Sequence, residues 1–275
     1  MIVDCHCHAG IGDGLTGPWD TEAHLGRYLA RAARAGIERT VVFPAFHSDY
    51  ALANRAVARI VARSRGRLYG FAFVHPVRDA GRVHPMVREA VEEHDFRGIK
   101  VHRHDGRITR EICEAARRFR LPVLYDVMGE VETAELLAGE YPDVAFIIPH
   151  LGSFADEWRA QVAMIGLLIR HRNVHTDTSA VRRFDLLAEA VRRRPRQVLF
   201  GSDGPWLHPG LELAKIELLG LRPADERRVL STNVLRLIEP VQRTRTVSRK
   251  VFAGFDFPGP KYSSRSVVRP DALPV

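Results

Sequence analysis

Apolar residues along this chain fall into two kinds of segment that take turns from the first residues to about position 238. Short dense runs of Val, Ile, Leu and Phe read as strands covered on both faces. Stripes recurring every third or fourth residue read as helices with one apolar side. Residues 2–8 form the first predicted strand, followed by a helix near 21–35 and a second strand at 39–46. A helix over about 49–64 leads to strand three at 67–74. Val83, Val87, Ala90 and Val91 then mark the helix before strand four, 96–102. Ile112, Ala115, Ala116 and Phe119 stripe the next helix, before strand five at 121–126 and a helix near 131–141. Strand six, 144–149, precedes a long helix carrying Phe154, Trp158, Val162, Ile165 and Ile169. Strands at 173–177 and 197–201 complete the series, and Leu230, Val234, Leu237 and Ile238 close it. Eight strand–helix repeats in about 240 residues predict an α/β fold, a TIM-like (β/α)8 barrel over residues 1–238. A dinucleotide-binding sheet would need G-x-G-x-x-G after the first strand. Gly10, Gly12 and Gly14 mark only a tight turn there.

Residues 239–275 break the pattern. They have no apolar period, are rich in Arg, Ser and Pro, and are expected to form an irregular basic tail. Phe252, Phe255, Phe257 and Tyr262 are its apolar exceptions, with docking on a barrel and a loose extension both open. The formal charge of +8 shrinks as a nucleic-acid signal once it is located. Seven Lys and Arg against two Asp from Pro240 onward account for five of the eight charges. The body also lacks an aromatic RNA-binding signature or a zinc knuckle, so no nucleic-acid partner is expected. No unbroken apolar run approaches a membrane span, and the chain opens directly into strand chemistry. Cys5, Cys7 and Cys113 are too few for a disulfide framework, so a cytoplasmic protein is expected.

The candidate chemistry lies at the strand ends. On strand one, Asp4, His6 and His8 share an alternate face, with Cys5 and Cys7 on the other. Two imidazoles projecting from one stiff strand suit adjacent positions on a metal ion. Of thirteen histidines, His6, His8, His47, His75, His102, His104, His150 and His208 lie at or just past predicted strand ends. In a barrel of this type those ends meet on the face that holds active sites. Asp203, just past strand eight in Gly-Ser-Asp-Gly-Pro, would face strand one across the closed barrel. There it can share a metal and accept a proton from water whose pKa the ion lowers; a turn aspartate bonding its own backbone is the alternative.

Four motifs carry a family resemblance: the His-x-His of strand one, Gly-Ile-Lys-Val-His at strand four, Pro-His-Leu-Gly at strand six, and Gly-Ser-Asp-Gly-Pro at strand eight. Arriving in this order, over residues 1 to about 238, they resemble the amidohydrolase superfamily. The nearest branch is the amidohydrolase-related one that contains aminocarboxymuconate-semialdehyde decarboxylase. The resemblance implies one divalent ion, zinc first and manganese or iron as alternatives, held by His6, His8, Asp203 and a ligand from strand five. It also implies that His150 is either a metal ligand or an acid–base group. The family usually places histidine where this chain has Asp126. A retained carboxylate ligand is the preferred expectation and a lost ligand the alternative. Some branches carbamylate a strand-four lysine to bridge two metals. For Lys100 the expectation is one metal with an ordinary amine that balances charge or faces substrate.

His102 shares the Lys100 face, and Arg103, His104 and Arg107 follow with positive charge, so an anionic organic substrate is expected. Trp19, Phe46 and Trp206 are candidates to wall an apolar pocket, and Asp177 and Ser179 to support the ligands from strand seven. Substrate-binding candidates are thus Lys100, His102, Arg103 and Trp206; the catalytic ones are His150 and Asp203. The leading expectation is a metal-dependent hydrolase of a small carboxylated substrate: amide, ester, lactone or C–C bond. In it, Asp203 deprotonates water on the metal while His150 polarises the oxygen under attack. The alternative is non-oxidative decarboxylation of a small unsaturated or aromatic acid. A third reading is a decayed barrel that only binds. No membrane partner is expected, and a homodimer is left open.

Overall fold

The computed structural model describes residues 1–16, 22–155 and 157–239. Its strands are β1 Ile2–Ala9, β2 Ile37–Pro44, β3 Leu68–Gly70, β4 Ala72–Phe73, β5 Ile99–His102, β6 Val123–Asp126, β7 Phe146–Ile148, β8 Val174–Asp177 and β9 Val198–Leu199. The helices between them are α1 Leu25–Arg34, α2 Tyr50–Arg63, α3 Val83–Glu92, α4 Arg110–Phe119, α5 Val131–Glu140, α6 Trp158–Arg170 and α7 Phe184–Arg193. Three more follow β9: α8 Pro209–Leu218, α9 Pro223–Arg227 and α10 Asn233–Ile238. Every strand pairing is parallel, as helical crossovers require.

The third predicted strand is two pieces, because Phe71 changes partner. Its N–H donates to Val42 of β2, and the next N–H, of Ala72, donates to Gly98 beside β5. Two aromatic rings lie close against glycine backbone at this corner. A Cβ on Gly98 would stand 2.4 Å from the Phe71 ring, and one on Gly70 would stand 2.2 Å from the Phe96 ring. No larger residue fits at either position without repacking the rings. The barrel closes between its first and last strands: Cys5 N–H donates to Phe200 O at 2.9 Å and His8 N–H to Gly204 O at 2.6 Å. The chain thus forms the expected eight-stranded parallel barrel, with β3 and β4 as halves of one strand.

Two apolar layers hold it. Between barrel and helices run Val42, Val74, Val101, Val123, Tyr125 and Ile148 with the inward faces of the helices. Inside the barrel, Val3, Cys5, Val41, Phe43, Leu124, Ile147 and Leu199 meet Val234, Leu235 and Ile238 of α10. Helix α10 therefore adds three apolar side chains to the inner core.

Strand β1 departs from simple alternation. Its pairing with β2 shifts register between Asp4 and Cys7, a bulge that re-aims side chains. Cys5 joins the inner core while Cys7 joins the outer one, so the two do not share a face. Asp4 does not face the way His6 and His8 do. It turns to Tyr28 of α1, whose hydroxyl donates to Asp4 Oδ2 at 2.6 Å. Predicted strands were longer than the observed ones at several ends, and α1 begins at Leu25. The tail expected beyond residue 239, with its four aromatics, and Trp19 lie outside the described residues. Among the described residues, no helix is long and apolar enough to cross a membrane.

Candidate metal centre

The tautomers of His6 and His8 are set by their neighbours. His6 Nδ1 lies 2.7 Å from Asp177 Oδ2, and His8 Nδ1 lies 3.0 Å from the Pro44 carbonyl oxygen. Both partners only accept, so each Nδ1 carries the hydrogen and each Nε2 presents its lone pair. The two lone pairs converge on one carboxylate. Asp203 Oδ1 is 3.4 Å from His6 Nε2 and 3.9 Å from His8 Nε2. All three residues are buried, and their ligand atoms lie within 4.8 Å of one another. Burial and the positive charge of Lys100 hold His8 well below the usual histidine range, in the neutral form a metal needs. The donor set therefore fits a divalent cation.

The backbone that carries these ligands is pinned from behind. Asp4 Oδ1 accepts the N–H of His6 and the N–H of Ser202, each at 3.0 Å. One carboxylate thus fixes the backbone at or beside two ligands on opposite sides of the closure. Burial pushes Asp4 up to about 6, against the pull of Ser202, Tyr28 and His6. Asp203 itself holds φ = 53°, a left-handed conformation that costs a non-glycine residue on the order of 1 kcal/mol or more and recurs at functional sites. No sequence signal marks the Asp4 clamp, because the bulge that turns it outward is invisible in alternation.

His150 sits beside this trio, its ring 5.0 Å from that of His6. Its φ of 58° is also left-handed. Ser179 holds Nδ1, with Oγ at 2.9 Å and the carbonyl oxygen at 3.0 Å, while the Ser179 hydroxyl donates to Asp177 Oδ1 at 2.6 Å. Asp177 also accepts the His150 N–H at 3.1 Å. Asp177 and Ser179 thus link His6 to His150. Burial alone would lower the His150 pKa, but Asp126, Asp203 and Asp177 overcome it and hold it at about 9.

The other expected residues divide. Among the described residues two histidine–aspartate clusters are of metal-binding size, His6, His8 and Asp203, and His6, His150 and Asp177. Asp126 is in neither, its Oδ2 lying 3.1 Å from His102 Nε2 and 3.5 Å from His150 Nε2. Burial works to raise its pKa, and those two imidazoles drive it well below the carboxylate range. Lys100 is wholly buried, with Nζ 5.1 Å from the Phe43 ring centre and no hydrogen-bond partner among the described residues. Burial lowers its pKa against the pull of Asp126, Asp203 and Asp177. That setting, an ammonium among three carboxylates, is consistent with the charge-balancing expectation and does not decide the substrate-facing one. Arg103 pairs with Glu130, which takes its guanidinium at 2.9 and 3.0 Å, and Arg107 reaches the same carboxylate. Trp206 stands over His8 with ring centres 4.5 Å apart, and Phe46 packs on His8, His102 and His104. His47, His75 and His208 instead accept backbone N–H groups two or three residues on, as turn and helix caps.

A parallel (β/α)8 barrel whose strand ends gather histidines and carboxylates is the architecture of a barrel enzyme. The chain belongs to the amidohydrolase family, whose sequence model matches residues 3–239. Solved structures share the fold at low identity. The 5-carboxyvanillate decarboxylase of Sphingomonas paucimobilis is 12% identical, with a TM-score of 0.67 over 86% of this chain and 98% of that one. A dihydroxybenzoic acid decarboxylase from Polaromonas, solved with bound manganese and 2-nitroresorcinol, is 16% identical, with a TM-score of 0.66 over 86% and 96%. The 4-oxalomesaconate hydratase of Rhodopseudomonas palustris is 18% identical, with a TM-score of 0.67 over 87% and 96%. Among curated proteins none matches significantly.

Proposed function

We propose that the protein is a metal-dependent hydrolase of a small, carboxylated organic substrate, with the ion held by His6, His8 and Asp203. The observation that carries this reading is the convergence of two Nε2 lone pairs, each fixed by an acceptor on Nδ1, upon a buried carboxylate. A divalent ion bound there supplies Lewis acidity and, in hydrolysis, lowers the pKa of water. Asp203 accepts the proton of attacking water, and His150 donates one to the oxygen that gains charge. Phe46 and Trp206 offer flat apolar walls beside His8, suited to a planar unsaturated substrate.

One observation favours a second reading, non-oxidative decarboxylation. His150 lies among three carboxylates, with Nε2 3.5 Å from Asp126 Oδ2, and they push its pKa up to about 9. A carbon that loses carbon dioxide needs a proton in its place, and a charged imidazole at the site delivers one. Two decarboxylases and a hydratase among the fold neighbours make that alternative worth testing in parallel. The decayed-barrel reading has less support, since two imidazoles and a carboxylate converge as a bound ion would require.

Elemental analysis and Zn²⁺ or Mn²⁺ titration of the wild type, His6→Ala and Asp203→Ala test the shared part. About one ion per chain is expected in the wild type, with affinity lost by about 100-fold or more in either variant. A wild type that takes up no ion after reconstitution ends the metal-dependent reading. A screen of esters, lactones and aromatic acids, with carbon dioxide release recorded, then separates hydrolysis from decarboxylation.

A further inference from the structure

We infer that Asp126 is a positioning residue that locks the His102 and His150 rings, and that the protein supplies three metal ligands, His6, His8 and Asp203, rather than four. The inference rests on the metal-dependent reading above and begins with sheet register. His102 and Asp126 are direct partners across β5 and β6, so their side chains leave the barrel wall next to each other. His102 Nδ1 accepts the N–H of His104 at 3.1 Å, which leaves the ring hydrogen on Nε2. That hydrogen faces Asp126 Oδ2 at 3.1 Å.

The second oxygen is engaged as well, because Asp126 Oδ1 accepts the Met128 N–H at 2.9 Å. The backbone between is tied too, with Arg103 N–H donating to Asp126 O at 2.8 Å. A carboxylate held at both oxygens in a buried site gives up a hydrogen bond if it turns to a metal. Asp203 faces the opposite situation: its Oδ1 lies against two lone pairs, an arrangement that only a shared cation or proton relieves. His150 Nε2, 3.5 Å from Asp126 Oδ2, is the third member of this row. Asp126 thus stands between two imidazoles. Two histidines and one carboxylate leave open coordination positions, a donor set that suits redox-capable and oxygen-seeking divalent ions as well as zinc.

Calorimetric titration of full-length protein with Zn²⁺ alone tests the assignment, using wild type, Asp126→Asn and Asp203→Asn. Groups that supply or orient a ligand cost about 10-fold to 100-fold or more in affinity when removed. Asp203→Asn is expected in that class and Asp126→Asn within about threefold of wild type. The ring-nitrogen NMR signals of His102 and His150 should shift in Asp126→Asn, a change that a merely structural role elsewhere would not produce. If Asp126→Asn does not fold, the wild type alone decides. The His102 ring N–H signal persists on addition of one equivalent of Zn²⁺ if Asp126 keeps its bond, and it moves or vanishes if Asp126 turns to the ion. Loss of that signal, or weakening of Zn²⁺ binding beyond tenfold in Asp126→Asn, overturns the inference while leaving a metal enzyme. A wild type that binds no Zn²⁺ overturns both.

Discussion

Two histidines of this barrel are equally buried, at 3% exposure, and are driven in opposite directions. His175, on β8 two residues before Asp177, is lowered to about 4 by burial and then by the charge of Arg236 on α10. His150 meets the same burial, yet Asp126, Asp203 and Asp177 raise it to about 9. Desolvation disfavours the charged imidazole at both places, so the carboxylates around His150 decide the difference. His175 Nδ1 has no hydrogen-bond partner among the described residues. The barrel thus keeps one histidine neutral by exclusion and another charged by company. Only the second kind of setting can move a proton near neutral pH.

The largest effect expected from breaking this contrast comes from His150 itself. His150→Gln should lower turnover of whichever substrate the screen yields by about 10²–10⁴-fold, the usual loss of an acid–base group, while Zn²⁺ affinity stays near wild type. Unchanged turnover would remove His150 from the chemistry and leave its charge a structural matter. A smaller effect follows from the carboxylate that serves both His6 and His150. Asp177 Oδ2 takes the His6 Nδ1 hydrogen, while Oδ1 takes two N–H groups and the Ser179 hydroxyl. An asparagine there must turn its NH₂ group toward one set of donors or the other. Asp177→Asn should therefore weaken Zn²⁺ binding by about 10–100-fold. A titration that matches wild type would show that His6 keeps its tautomer without help.

Periodicity made the barrel legible because dense apolar runs and helical stripes report burial on two faces and on one. It also made most of the centre legible: His6, His8, His150 and Asp203 all stand at strand ends, and the barrel brings those ends together. What it missed depends on backbone detail. The bulge in β1 sends Asp4 behind the ligands, and a strict two-residue alternation has no term for an extra residue. Phe71 divides strand three by switching partners, which no side-chain pattern records. Residue type alone also favoured Arg103 as an anion receptor and Asp126 as a ligand. Each has a partner beside it that residue type does not record, the Glu130 carboxylate for one and the His102 ring N–H for the other. Pairing of this kind is set by register and loop path, so it is read from geometry.

The smallest expected effect concerns His175 and sharpens the neutral half of the contrast. Its folded pKa, about 4, lies below the value near 6.5 of an unfolded histidine. The unfolded chain therefore binds a proton first as pH falls, and each such proton favours unfolding. Stability from this group is intact above about pH 6.5 and is lost as pH drops toward the folded value. Linkage puts the loss at about 2 kcal/mol by pH 5 relative to pH 7. In His175→Leu, which fills a similar volume and cannot ionise, that component disappears. Urea unfolding at pH 7 and pH 5 should show the wild type losing about 2 kcal/mol more than the variant over this interval. Parallel losses in the two proteins would mean that His175 is reached by water or by a partner in solution. Burial and the Arg236 charge would then no longer account for the neutral form of His175.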